Sequence, residues 1–227
     1  HLRATRGQDD VDTLPDNAPL LVVANEFFDA LPVRQLVATE GGWRERMVGL
    51  ADGGFAPVAG PPRPAEVIPE RLRGAPEGSV LETSPASVAI VRELARRLAR
   101  QGGAALIIDY GHERTGLGDT LQAVERHGFA DPWARPGERD LTAHVDFEAL
   151  TEAARAEGVR VFGPRHQGEW LKTMGINLRA ASLTKASPER GEEIAAARDR
   201  LVAPDQMGDL FKVVALVPHD WPEPEGF

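Results

Sequence analysis

Cysteine is absent from the 227 residues. That removes disulfides, thiolate nucleophiles, zinc–cysteine sites and iron–sulfur clusters together. No apolar run approaches the length that spans a bilayer. Residues 1–12 are polar and mixed in charge, unlike a secretory leader. Positive charge is in deficit: the net charge is -9. Nucleic-acid binding through phosphate neutralisation is therefore excluded as a bulk property. There is no His-Glu-x-x-His or comparable ligand spacing, so no metal is expected. There is no Gly-x-Ser-x-Gly elbow either, which disfavours an α/β-hydrolase-like enzyme. The one Gly-x-Gly, at Gly116–Gly118, lacks a third glycine and does not join a strand directly to a helix. It reads as a flexible loop rather than a dinucleotide fingerprint.

What remains is ordinary for one globular α/β domain, with 42% hydrophobic and 27% charged residues. The most informative stretch is Leu20 to Pro32. It begins as five apolar residues, the pattern of a strand buried on both faces of a parallel sheet. Asn25 and Glu26 fall where that strand should end, followed by Phe27, Phe28 and Asp29. Ligands of open α/β sheets bind outside the carboxyl ends of the strands. The same run is also compatible with a strand that closes on an ordinary polar turn.

Arg34–Thr39 and Trp43–Val48 read as strands of a hairpin turned at Gly41-Gly42, an antiparallel insertion over residues 33–60. Residues 57–76, rich in Pro and Gly, read as a loop. Ser84-Pro85 starts a helix, with Val88, Val91, Leu94, Ala95 and Leu98 on one face. Arg92, Arg96, Arg97 and Arg100 lie mostly on the opposite, solvated side. Gly102-Gly103 ends the helix. A second acid-tipped apolar strand follows over 104–111, carrying Asp109 and Tyr110. Strand, helix, strand is a right-handed crossover. Residues 120–124 read as a strand or lid segment. Asp146 caps a helix closed by Gly158, and 159–162 form a short strand. Residues 169–174 form a short helix, a helix starts at Ser187-Pro188 and ends before Pro204, and 210–217 form the last strand. The tail 221–227 reads as disordered.

If the two acid-tipped strands are neighbours, their groups converge on one sheet edge. Converging carboxylates suit acid–base chemistry or the grip of a guanidinium fork. They repel one another, so an unoccupied pair tends to hold a proton. In the alternative reading Asp109 caps a turn and Glu26 pairs with a local arginine. His144, in a polar segment with Asp140, Thr142 and Asp146, is read as fixing its loop, since no serine or cysteine nucleophile accompanies it.

The motifs ANEFFDALPVRQ (24–35), IIDYG (107–111), DTLQAV (119–124), PGERDLTAHVDF (136–147), QGEWLKTMGI (167–176) and GDLFKVVAL (208–216) occur in one order. In that order they resemble the MidA-like family, S-adenosylmethionine-dependent class I methyltransferases whose mitochondrial members assemble complex I and methylate a protein arginine. The resemblance implies a Rossmann-like α/β sheet holding the family's strands four to seven. It implies S-adenosylmethionine as cofactor and a protein acceptor, with a respiratory complex I subunit as one candidate. Asn25 and Glu26 would face methyl donor and acceptor, and Phe27 and Phe28 would wall the pocket. Asp29 would support Glu26 or meet the acceptor. Asp109 and Tyr110 would border the acceptor channel, with Glu26 or Asp109 taking the proton. Asp140, Thr142, His144 and Asp146 would form a polar rim. The family's Gly-rich cofactor loop is not in the sequence, and position 1 is not Met. An N-terminal portion carrying that loop is therefore expected to precede His1. The Ala-, Arg-, Gly- and Pro-rich composition suggests a bacterium, hence cytoplasm; a eukaryotic member would sit in the mitochondrial matrix. Oligomerisation is open. A binding or assembly module without required catalysis is the competing function, with the hairpin as contact surface.

Overall fold

The computed structural model describes residue 11 and residues 14–51, 53–125 and 128–227. The polar opening segment lies outside these residues except at Val11. The chain order begins with β1 (Leu20–Asn25), β2 (Arg34–Thr39), β3 (Gly42–Ala51), β4 (Gly54–Pro62) and β5 (Val80–Thr83). Helix α1 (Pro85–Gln101) leads to β6 (Gly103–His112), β7 (Gln122–Glu125), β8 (Gly128–Ala130), β9 (Asp140–Thr142) and β10 (Val145–Asp146). Then come α2 (Phe147–Arg155), β11 (Arg160–His166), α3 (Gln167–Thr173), α4 (Ile176–Ala186), α5 (Gly191–Val202) and β12 (Phe211–Val217).

The main sheet runs β1-β6-β12-β11, with β10 also pairing β6. β1 and β6 are parallel in register from Leu20↔Gly103 to Asn25↔Ile108, whereas β12 is antiparallel to both neighbours. The two acid-tipped strands are thus adjacent, as their shared chemistry requires. Helices α1 and α2 cover one face, burying Val91, Leu94, Leu98, Phe147 and Leu150 against Leu20, Ala105, Ile107, Val214 and Leu216. Each such aliphatic side chain contributes about 1.5–3 kcal/mol on burial. Ser84 caps α1 by accepting from the Ser87 amide, and Gly102, at φ 83, closes it.

β1 departs from the expectation of burial on both faces. Leu21 and Val23 are 80% and 70% exposed. Among the described residues β1 pairs with β6 alone, and α1 covers only the side bearing Leu20, Val22 and Ala24. The strand buried throughout is β12, flanked on both edges.

The hairpin insertion is larger than expected. β4 occupies 54–62, much of it read as loop, and the sheet is four-stranded, β4-β3-β2-β5. Pro57, Pro61 and Pro62 are tolerated because β4 is an edge strand and needs no outward amide. β7 pairs β8 and β9, so residues 122–125 are a strand. The loop before it is not free: the Gly118 amide donates to the Val80 carbonyl. Arg97 is not solvated but 3% exposed, donating to the carbonyls of Val11, Leu14 and Pro15. Residues 176–186, unassigned from sequence, are helical because α4 packs on α3 and α5. The tail is ordered: Arg165 donates to the Gly226 carbonyl, and Phe227 meets the rings of Phe162 and Trp170.

Candidate active site

The carboxyl end of β1 turns abruptly. The Glu26 amide still donates to the Ile108 carbonyl of β6, at 3.0 Å. Glu26 then adopts a φ of 47, the left-handed region that non-glycine residues seldom occupy. Asn25 and Glu26 are both exposed there, and Asn25 Nδ2 donates to Glu26 Oε1 at 3.3 Å.

Behind them sits Asp109, 0% exposed. Its Oδ2 accepts from the amides of Phe27, Phe28 and Asp29 at 3.1, 2.9 and 3.3 Å, and its Oδ1 from the Tyr110 amide at 2.9 Å. This corrects the expectation that Asp109 borders an acceptor channel: the carboxylate faces inward, and amides occupy both oxygens. Burial, and next the charge of Asp29, push its pKa up to about 7 against the pull of those donors.

Asp29 is buried too, and Tyr110 donates its hydroxyl to Asp29 Oδ2 at 2.6 Å. Burial and the Asp29 carboxylate raise the Tyr110 pKa well above its ordinary value. The Asp29 carbonyl accepts from the Ala143 amide, so Thr142, Ala143 and His144 lie against this corner. The Tyr110 ring meets His144 edge-on at 5.7 Å and Phe211 at 5.3 Å. Burial, with His112 nearby, lowers the His144 pKa. Phe28 belongs to the core, whereas half-buried Phe27 stands at its edge, 5.2 Å from it.

Asp146 caps α2, accepting from the Ala149 amide at 3.1 Å, and also accepts from the Thr115 hydroxyl at 2.6 Å. Asp140 is exposed on β9. Unforeseen is the buried carboxylate of Glu82. It accepts from Gln35 Nε2, the amides of Thr120 and Leu121, and the Thr120 hydroxyl. Thr120 Oγ1 in turn accepts from the His144 amide at 2.8 Å. The available signal was an acid tipping the apolar strand β5, the pattern already present at β1 and β6.

Beside Asn25 and Glu26 lies a groove of about 500 Å³, lined by Leu14, Val22, Ala24, Phe27, Ile90 and Leu94 among others. It offers apolar walls and two polar groups at one end. No Gly-rich strand-to-helix turn, which would let backbone amides cradle a nucleotide-like cofactor, accompanies it in the sequence. These residues fit one wall of a methyl-donor site. No group of three or more metal-ligating side chains occurs among the described residues.

A mixed sheet with antiparallel β12 between β6 and β11, and its polar groups at the carboxyl ends of β1 and β6, defines a Rossmann-like α/β methyltransferase fold. The model of the S-adenosyl-L-methionine-dependent methyltransferase family matches residues 8–165. The chain belongs to that family. It is 38% identical over 208 residues to the mitochondrial protein arginine methyltransferase NDUFAF7 of Mus musculus, covering 88% of this chain and 46% of the relative. The homologue from Drosophila melanogaster is 39% identical, covering 87% and 47%. A candidate methyl transferase from Burkholderia thailandensis, crystallised with S-adenosyl-homocysteine, superposes with a TM-score of 0.85 at 36% identity, covering 95% of this chain and 58% of that one. The chain thus spans about half the length of the curated relatives it matches.

Proposed function

We propose that this chain carries the acceptor-facing part of a site that methylates a protein arginine. The observation that carries the reading is the exposed Asn25–Glu26 pair, held at the carboxyl end of β1 beside an apolar groove. When bound, S-adenosylmethionine supplies a methyl group on a sulfonium. Asn25 stands where it could meet that cofactor, and Glu26 where its carboxylate could orient a guanidinium fork. Glu26, exposed at the mouth, is also the group placed to take the proton that the methylated nitrogen releases. Phe27 supplies an apolar wall. The rest is orientation, which can supply about 7–11 kcal/mol of a barrier in ideal cases.

The arginine acceptor is inferred from the names of the relatives, and a complex I subunit is the candidate protein that the family resemblance implies. A bacterial cytoplasm or a mitochondrial matrix is the compartment consistent with the composition and those relatives. The test is radiolabelled methyl transfer by the full-length protein. Glu26→Gln keeps size but loses charge and should cut turnover roughly 100-fold, the lower range for a missing proton-transfer group. Unchanged turnover would remove Glu26 from the reaction.

The competing reading, a protein-binding assembly factor, draws support from the β3–β4 ribbon. Leu50 and Phe55 face each other across it at 79% and 46% exposure. Partner capture that survives complete loss of cofactor binding would favour it.

A further inference from the structure

We propose that Asp109 is a positioning residue: from the neighbouring strand it gathers the Phe27, Phe28 and Asp29 amides and so holds Glu26 in the left-handed turn that presents its carboxylate at the mouth. The proposal rests on the reading of Glu26 as the group that orients the acceptor.

Three successive amides converge on one oxygen directly after a reversal of the chain. Glu26, at φ 47, makes that reversal. A left-handed non-glycine residue persists only where its surroundings over-determine it. Here they do so from three sides. The Glu26 amide is fixed to the Ile108 carbonyl in front of the turn. Asp109 Oδ2 holds the next three amides at 2.9–3.3 Å. Behind the turn, Asp29 is held through its carbonyl by the Ala143 amide and through its carboxylate by the Tyr110 hydroxyl.

Asp109 itself touches neither solvent nor the groove, being 0% exposed. It therefore does not exchange protons with an acceptor. A glycine at position 26 would make the turn unaided but would carry no carboxylate. The pairing of a left-handed glutamate with a buried carboxylate on the adjacent strand is what joins the shape of the turn to its chemistry.

The test uses the full-length protein and its variants Glu26→Gln, Asp109→Asn and the double mutant. Amide hydrogen exchange of the 27–29 segment reads the tether. Methylarginine formed from radiolabelled S-adenosylmethionine, with a protein extract of cells lacking the gene as acceptor, reads the reaction. In Asp109→Asn an amide NH₂ replaces one acceptor, so exchange at 27–29 should rise by about ten-fold or more. Turnover should fall as far as in Glu26→Gln, and the double mutant should be no slower than the slower single one, because both act through the same carboxylate. Unchanged exchange overturns the proposal, and so do turnover losses that multiply. Full turnover in Glu26→Gln overturns the reading of Glu26 instead, while exchange still decides whether Asp109 holds the loop. If Asp109→Asn does not fold, Asp109→Glu, which keeps the charge but displaces it by one methylene, carries the same expectations.

Discussion

At the scale of single residues the molecule repeats one device: a carboxylate, withdrawn from water, held by neutral donors rather than by a cation. Asp109 has four backbone amides; Glu82 has two amides, an amide side chain and a hydroxyl. A charge so placed carries a desolvation cost that its hydrogen bonds offset only in part. For Asp109 the folded pKa of about 7 stands above the ordinary 3.8. The folded state then binds the proton more tightly than the unfolded chain. Stability should fall as pH climbs from about 4 to about 7, the window between the two values. Asp109→Asn has no proton to lose and should flatten that slope. Urea denaturation of both proteins at several pH values checks this, and parallel slopes would contradict it. The sequence showed that acids tip the apolar strands and that β1 and β6 could be neighbours. It did not show which acids face inward, because that depends on where the amides of the next loop point. Glu26 and Asp109 look equivalent in sequence and are opposite in the fold.

At the scale of elements, the strands and helices with strong local signals were legible: α1 from its Ser-Pro start, β6 from its apolar run, α2 from Asp146. Those fixed by tertiary contact were not. β4 carries prolines that argue against a strand unless its edge position is known. Arg97 looks solvated until the segment at Val11 and Leu14 lies over it. Gly111 shows how tightly one element constrains the next. β10 passes so close that a Cβ on Gly111 would stand 2.0 Å from the Val145 carbonyl oxygen. Gly111→Ala must push β10 away, and with it the neighbouring His144, whose ring meets Tyr110. Destabilisation of about 1–3 kcal/mol is expected, in the range for overpacked sites. Thermal denaturation measures it. Near-ultraviolet circular dichroism should change as well, since Tyr110 is the only tyrosine and sits at this contact. A fully stable Gly111→Ala protein would mean that β10 is not tied to β6 in this register.

At the scale of the whole molecule, one strand is finished on one side only. β12, central, is buried from end to end; β1, chemically similar, leaves Leu21 and Val23 facing water. Among the described residues the outer edge of β1 has no strand partner. An apolar sheet edge with free amides and carbonyls is a template for pairing with another chain, and natural edges are commonly guarded by lysine or proline. β4 has its prolines; β1, from Leu20 to Ala24, has neither. That edge fits a strand from elsewhere in a longer protein as well as a second copy, and the 227-residue stretch taken by itself should self-associate as its concentration rises. Val23→Lys places a charge on that edge at a position already 70% exposed, so folding should change by less than about 0.5 kcal/mol. Light scattering against concentration should drop in the variant while the melting temperature holds. Equal scattering from both proteins would shift the cause to the apolar β3–β4 ribbon, where Leu50→Lys would then be the variant that suppresses it. The two outcomes separate the sheet edge that serves the site from the ribbon that stands apart from it.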